Sequence, residues 1–199
     1  MRKGNSNSVL SNQQLERELK RTTHIQKQWL RIRRMVSSAL VLAAVIALLS
    51  IFCFPVYYIT GESMEPSLMK GQIIIARRIN TLNTGDIIAL YYNNQILIRR
   101  IIGMPGDVID IDGHGIVSIN DIPIDEPYLN EKALGLSDMT YPVTVPDHSY
   151  FVMGDNRNSS IDSRMSIVGC IPKEKIAGKI IFSIWPLHQA GYIGWGESN

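Results

Sequence analysis

The chain has 199 residues, of which 45% are hydrophobic and 19% charged, values that suit one packed domain with appendages and exclude disorder throughout. The formal charge of +2 hides an asymmetry. Residues 1–34 hold nine Lys/Arg against two Glu, a net of +7, while residues 35–199 hold eleven Lys/Arg against sixteen Asp/Glu, a net of −5, so the two parts are expected to face different surroundings.

From Ser11 to Arg34 the residues Leu15, Leu19, Ile25, Trp29, Leu30 and Ile32 are spread among many charges. The pattern fits either a basic amphipathic helix on an inner membrane leaflet or a solvated arm. Met35 to Gly61 carries no charge and Ala39 to Phe54 is almost continuously apolar, which predicts a transmembrane helix over 35–58 that crosses about 30 Å of hydrocarbon. That argues against a nucleic-acid-binding arm. A cleaved signal peptide fits less well, because its apolar region runs to about 7–15 residues after a short basic stretch.

Arg31, Arg33 and Arg34 abut one side of the apolar run, while Glu62 and Glu65 are the first charges beyond it. The positive-inside rule then puts 1–34 in the cytoplasm as a basic tail and 59–199 outside as an extracytoplasmic domain. Pro55, Tyr57 and Tyr58 read as the helix end at the far interface.

After this segment come short β-rich runs at Gln72 to Ala76, Ile87 to Tyr91, Gln95 to Ile102, Val108 to Ile111 and Ile116 to Ile119, punctuated by Gly, Pro, Asn and Asp. Residues 120–147, with Pro123, Pro127, Pro142 and Pro146, read as an extended arm. Strand pattern returns at Ser149 to Met153 and at Ile176 to Ile184. The expected fold is one N-terminal transmembrane α-helix followed by a mainly β domain, a small coiled antiparallel sheet or partial barrel. Cys53 and Cys170 are far apart and the four His are scattered, so neither a disulfide nor a metal site is expected, and no cofactor is indicated.

Three segments stand out chemically. In Gly61-Glu62-Ser63-Met64-Glu65-Pro66-Ser67-Leu68 a Ser sits in backbone made irregular by Gly and Pro, a common turn composition that also suits a held nucleophile. In Ile98-Arg99-Arg100-Ile101-Ile102-Gly103-Met104-Pro105-Gly106-Asp107 a strand carrying two Arg runs into a turn. Met153 to Arg164 is dense in Asp, Asn, Ser and Arg just after a strand, which suits a surface loop or a fixed hydrogen-bonded network supporting a site.

Taken together and in this order, beyond a predicted anchor, these segments resemble the sequence boxes of type I signal peptidases. Ser63-Met64-x-Pro-Ser-Leu resembles the nucleophile box, Gly85-Asp86-Ile87-Ile88 the short box after it, Arg99 to Asp107 the general-base box and Gly154 to Arg164 the supporting box. The resemblance covers roughly 36–186, ends at Ser183-Ile184-Trp185-Pro186, and is to the Gram-positive form. It implies signal-peptidase-like coiled antiparallel β-sheets and a Ser/Lys dyad that cleaves signal peptides from secreted preproteins after an A-x-A-like site, at the outer face of the cytoplasmic membrane.

By that resemblance Ser63 is the nucleophile, and its own N–H with the Gly61 neighbourhood offers the oxyanion site. Ser160 orients the base, and Arg100, Asp155, Arg157, Asp162, Ser163 and Arg164 form the structural scaffold. Ile59, Met64, Leu68 and Ile98 line small apolar substrate pockets. The chain departs from the family where the catalytic Lys is expected, because that position is Arg99, and guanidinium is a poor base. Lys70, His148 and Lys179 are the other basic groups that could substitute. A second reading is therefore a signal-peptidase-like protein that binds signal or pilin segments and assists surface-protein or pilus assembly. The implied partners are preproteins, the lipid bilayer and export or pilus machinery, with no nucleic acid.

Overall fold

The computed structural model describes the backbone of residues 12–79 and 81–193, and the side chains of 28–48, 52–79 and 81–193 within that range. The chain divides into two compact units, Met1–Ile51 and Phe52–Asn199. Helix α1 spans Asn12–Cys53, so the basic tail is helical from Asn12. Leu15, Leu19 and Ile25, which carry the amphipathic expectation, have side chains outside the described residues.

Every described side chain from Gln28 to Leu48 is exposed, including Leu40, Val41, Leu42 and Leu48. Ser37 and Ser38 turn their hydroxyls back onto the carbonyls of Arg34 and Met35, at 2.9 Å each, so the helix satisfies its own polar groups. Among the described residues no helix is long and apolar enough to cross a membrane. The apolar run expected to do so includes residues 49–51, whose side chains are not described.

The helix ends earlier than the sequence suggests. Pro55 lacks an N–H and disfavours helix in the residue before it, so α1 stops at Cys53. Tyr57 and Tyr58, read from sequence as the helix end, instead belong to strand β1 (Val56–Tyr58), because its residues pair with Ile73, Ile74 and Ile75 of β2 (Ile73–Arg77).

The second unit is mainly β, with two antiparallel sheets. The larger contains β1, β2, β3 (Ile87–Tyr92), β4 (Gln95–Gly103), β9 (Ser149–Met153), β10 (Ile171–Pro172), β11 (Ile176–Trp185) and β12 (Gly191–Tyr192), in the order β1-β2-β11-β3-β4-β9-β10, with β12 on β11. The smaller holds β5 (Val108–Ile111), β6 (Val117–Ile119), β7 (Ile122–Pro123) and β8 (Val143–Thr144), in the order β7-β6-β5-β8. The Pro-rich arm contributes only the two-residue strands β7 and β8, as expected of residues that cannot all donate to a ladder.

Three apolar clusters hold these layers. Ile74, Ala76, Ala89 and Ile180 pack with Met64 and Leu68; Ile88, Leu90, Ile101 and Val152 form a second; Ile102, Ile109, Val117 and Phe151 form a third. Strand β4 borders all three, with β3 on one side and β9 on the other. Its successive side chains point to opposite faces, so Arg99 and Arg100 leave it in opposite directions. That alternation divides their chemistry.

Candidate active site

Ser63 lies in a run of turns between β1 and β2. The Leu68 N–H donates to Met64 O at 2.9 Å and the Gly71 N–H to Ile59 O at 2.8 Å, which close the loop, and Met64 and Leu68 anchor it in the core. The loop is also tied to the segment after β9. The Ser63 carbonyl accepts from the Asn156 N–H at 3.0 Å and from the Ser160 hydroxyl at 3.0 Å.

The Ser63 N–H has no hydrogen-bond partner among the described residues, and Gly61 is exposed with open space where a side chain would stand. Ser160 also donates to Asn156 O at 2.7 Å. Its single proton is therefore shared between the Ser63 and Asn156 carbonyls, and it makes no hydrogen bond to the Arg99 side chain that the resemblance implied it would orient.

Arg99 is 5% exposed and reaches Ser63 directly, with Nη1 donating to Ser63 Oγ at 2.7 Å. Nη1 also donates to Ile98 O at 2.5 Å, while Nε and Nη2 converge on Ile161 O at 3.1 and 2.8 Å. No carboxylate lies within ion-pair distance of it among the described residues. Burial, the largest influence, pushes its pKa down, and Asp162 opposes that. A guanidinium has five donors and no acceptor, so this hydrogen bond holds Oγ as an acceptor without taking its proton.

The opposite face of β4 carries a built scaffold. Arg100 grips Asp155 bidentately, Nε to Oδ1 at 2.8 Å and Nη2 to Oδ2 at 2.6 Å. It also donates to Gly85 O at 2.8 Å and Ser67 Oγ at 3.1 Å, and stacks 3.9 Å from the Tyr128 ring centre. Gly85 has φ near 90°, a conformation that glycine adopts without strain, and this turn presents its carbonyl to Arg100. Asp162 pairs with Arg164 at 2.8 and 2.9 Å and accepts the Gly154 N–H at 2.9 Å. Ser163 Oγ accepts the Val152 N–H at 2.9 Å.

Arg157 belongs to another group. It pairs with Glu126 of the Pro-rich arm, which also accepts the Tyr128 hydroxyl at 2.8 Å. Burial and Glu126 together push the Tyr128 pKa well up, so this phenol stays a donor. Nothing in the composition around Glu126 or Tyr128 marks them, and although Ser67 and Ile161 lie in the quoted boxes, their contacts with Arg100 and Arg99 were not anticipated.

The four predicted pocket residues, Ile59, Met64, Leu68 and Ile98, meet in one apolar cluster. Three of them are nearly closed off. Beside them opens a cleft of about 590 Å³ lined by Ser67, Leu68, Gln72, Arg100, Tyr128 and Tyr192 among others, which Gln72 spans with a 2.9 Å bond to Gln189. Of the alternative bases, the two lysines are paired elsewhere, and none of the three, His148 included, bonds Ser63 Oγ among the described residues. Lys70 is 3.8 Å from Glu62, Lys179 is 2.5 Å from Asp86, and among the described residues Ser63 Oγ bonds only to Arg99.

Gly154 is where the loops close. A Cβ there would stand 2.6 Å from both Ser160 Cβ and Ser63 O, and closer still to Ser160 Oγ. Gly154→Ala is expected to lower the thermal stability of the domain by about 1–3 kcal/mol through overpacking. A melting temperature equal to the parent's would show that this junction yields freely.

The model of the family described as "Signal peptidase, peptidase S26" matches residues 32–185. The chain is 37% identical over 166 residues to signal peptidase I S of Bacillus subtilis (strain 168), covering 77% of this chain and 89% of that protein. It is 38% identical over 165 residues to a signal peptidase I of Bacillus amyloliquefaciens, covering 77% and 88%. Among solved structures, a signal peptidase I from Enterococcus faecalis V583 aligns at 30% identity with a TM-score of 0.44, covering 51% of this chain and 98% of its own.

Proposed function

The chain belongs to the type I signal peptidase family, serine endopeptidases that remove signal peptides from preproteins, and from that premise we propose that Ser63 cuts preproteins after an A-x-A-like site. The carrying observation is the placement of Ser63 Oγ 2.7 Å from a buried cation, on a turn whose own N–H is unpartnered. Oγ adds to the scissile carbonyl carbon, the developing oxyanion accepts from the Ser63 N–H, and the C–N bond breaks to leave an ester. Water then hydrolyses the ester.

The Oγ proton passes to solvent, because Arg99 has no acceptor for it, and solvent returns a proton to the leaving amine nitrogen as the C–N bond breaks. Arg99 contributes the electrostatic share alone, favouring the alkoxide over the hydroxyl, so acylation is slow without a positioned base. Asp155 with Arg100, and Asp162 with Arg164, hold the strands and loops that frame Ser63. Met64, Leu68, Ile59 and Ile98 supply the apolar surface for small side chains before the cut.

The exposed apolar face of α1 supports its reading as a single anchor in the cytoplasmic membrane, with residues 1–34 inside and the β domain outside. The second reading is a binding protein that holds signal or pilin segments for an assembly machine. One observation favours it, the donation by Arg99 into the Oγ lone pair. A labelled preprotein incubated with the detergent-solubilised full chain separates the two. Cleavage after A-x-A that disappears in Ser63→Ala is the expected result, whereas binding without cleavage in both chains selects the second reading.

A further inference from the structure

The buried charges of the β domain do not balance. Arg100 is paired with Asp155, Arg157 with Glu126 and Arg164 with Asp162, all with side chains at most 3% exposed. Arg99 is a fourth buried arginine with no acid of its own, so the buried set carries one excess positive charge. Three carbonyl contacts and a serine hydroxyl solvate that charge without neutralising it. An uncompensated buried cation is a standing binding site for an anion that can reach it. Reach is available here, because Ser63 is only half-buried and Ile161, whose carbonyl caps the guanidinium, is 50% exposed.

The geometry fixes which anion. A peptide docked for attack has its scissile carbonyl carbon about 3 Å from Ser63 Oγ. After the cut that carbon is a carboxylate, one oxygen of which stands close enough to replace Oγ as acceptor for Arg99 Nη1. One Nη2 hydrogen is also uncommitted, since the described bonds of Nη2 number one. Arg keeps its charge at every physiological pH even where burial lowers its pKa, whereas a neutral lysine at this place would offer no cation to a carboxylate.

We infer that Arg99 makes this site a receptor for the free C-terminal carboxylate of a cleaved signal peptide, so that the chain retains the product which a lysine-bearing site would release. The inference rests on the reading that signal-peptide segments dock at Ser63. Its chemical class is a peptide ending in small residues with an ionised α-carboxylate.

The test uses the full chain in detergent micelles and fluorescence anisotropy at pH 7, with labelled peptides ending at A-x-A. One carries a free carboxylate, one a C-terminal carboxamide, and a third continues across the cleavage site and is measured on Ser63→Ala. The carboxylate peptide is expected to bind the unsubstituted chain about tenfold or more tightly than the carboxamide. Arg99→Gln is expected to erase that preference while retaining the spanning peptide. Equal affinities for carboxylate and carboxamide, with the spanning peptide bound, overturn the inference and leave the docking reading intact. Failure of all three peptides to bind overturns both. The acid-against-amide comparison needs no change at Arg99, so it decides the matter even if Arg99→Gln misfolds.

Discussion

Arg99→Lys is expected to raise preprotein turnover at pH 8 by about 10²–10³-fold over the parent chain, within the roughly 10²–10⁴-fold that a positioned general base contributes. A lysine of reference pKa about 10.4 needs roughly 4–5 kcal/mol to be neutral near pH 7, whereas arginine, whose reference pKa lies far higher, needs at least about 8. Desolvation is already the dominant influence on Arg99 and lowers its pKa, and the same surroundings act on a lysine that starts much closer to neutrality. The lysine variant is inactive where its amine is protonated and gains activity as pH rises through the lowered amine pKa. The parent chain, lacking that base, rises with hydroxide and shows no plateau in the same interval. Initial rates at matched folded fraction are the measurement, because lysine leaves Ile98 O or Ile161 O short of a donor at a cost of about 1–3 kcal/mol. A variant no faster than its parent would mean that Arg99 is not what limits the serine.

Asp155→Ala is expected to destabilise the β domain by about 3–5 kcal/mol, the cost of stranding a buried arginine. Arg100 is 2% exposed, and its two charge-assisted bonds to Asp155, at 2.8 and 2.6 Å, cannot be replaced by water without opening the cluster. The bonds that remain, to Gly85 O and Ser67 Oγ, satisfy donors but carry no negative charge. For a domain of this size the loss lowers the melting temperature on the order of 10 °C. The double change Arg100→Met with Asp155→Ala should cost less than Asp155→Ala alone, because no buried charge is then left over. Circular dichroism melts of the three chains check this. A single variant melting within about 2 °C of the parent would show that Arg100 finds solvent easily.

The strands at 73–77, 87–92, 95–103, 108–111 and 149–153 were legible to within two residues, since β-branched runs bounded by Gly, Asn and Asp carry their own signal. Two-residue strands such as β10 and β12 were not. They exist because a neighbouring ladder offers partners, Tyr150 for Ile171 and Phe182 for Tyr192, and no local composition encodes that. Tyr58 shows the same limit from the other side: aromatic residues after an apolar helix suit a membrane interface, yet Ile73 opposite them makes a strand.

At the site, the resemblance of three segments, in their order, to the signal peptidase boxes put Ser63, Arg99 and the 154–164 segment in one functional group. Ser160, however, was assigned to the side chain of residue 99, and its hydroxyl goes to the Ser63 carbonyl. Glu126 was invisible because its partner Arg157 is 31 residues away and either residue alone reads as a surface charge.

The sequence by itself determined that the residue beside the serine in function is an arginine, and therefore that no proton acceptor stands at that place, a consequence of guanidinium chemistry that no fold can alter. Only the tertiary structure decided where that charge is left. Alternation along β4 sends Arg100 to Asp155 and Arg99 to Ser63, while Asp162, the acid that most favours the charge on Arg99, is closed onto Arg164. With each buried carboxylate among the described residues taken by another arginine, desolvation without neutralisation falls on Arg99, and that places an unpaired cation against the serine.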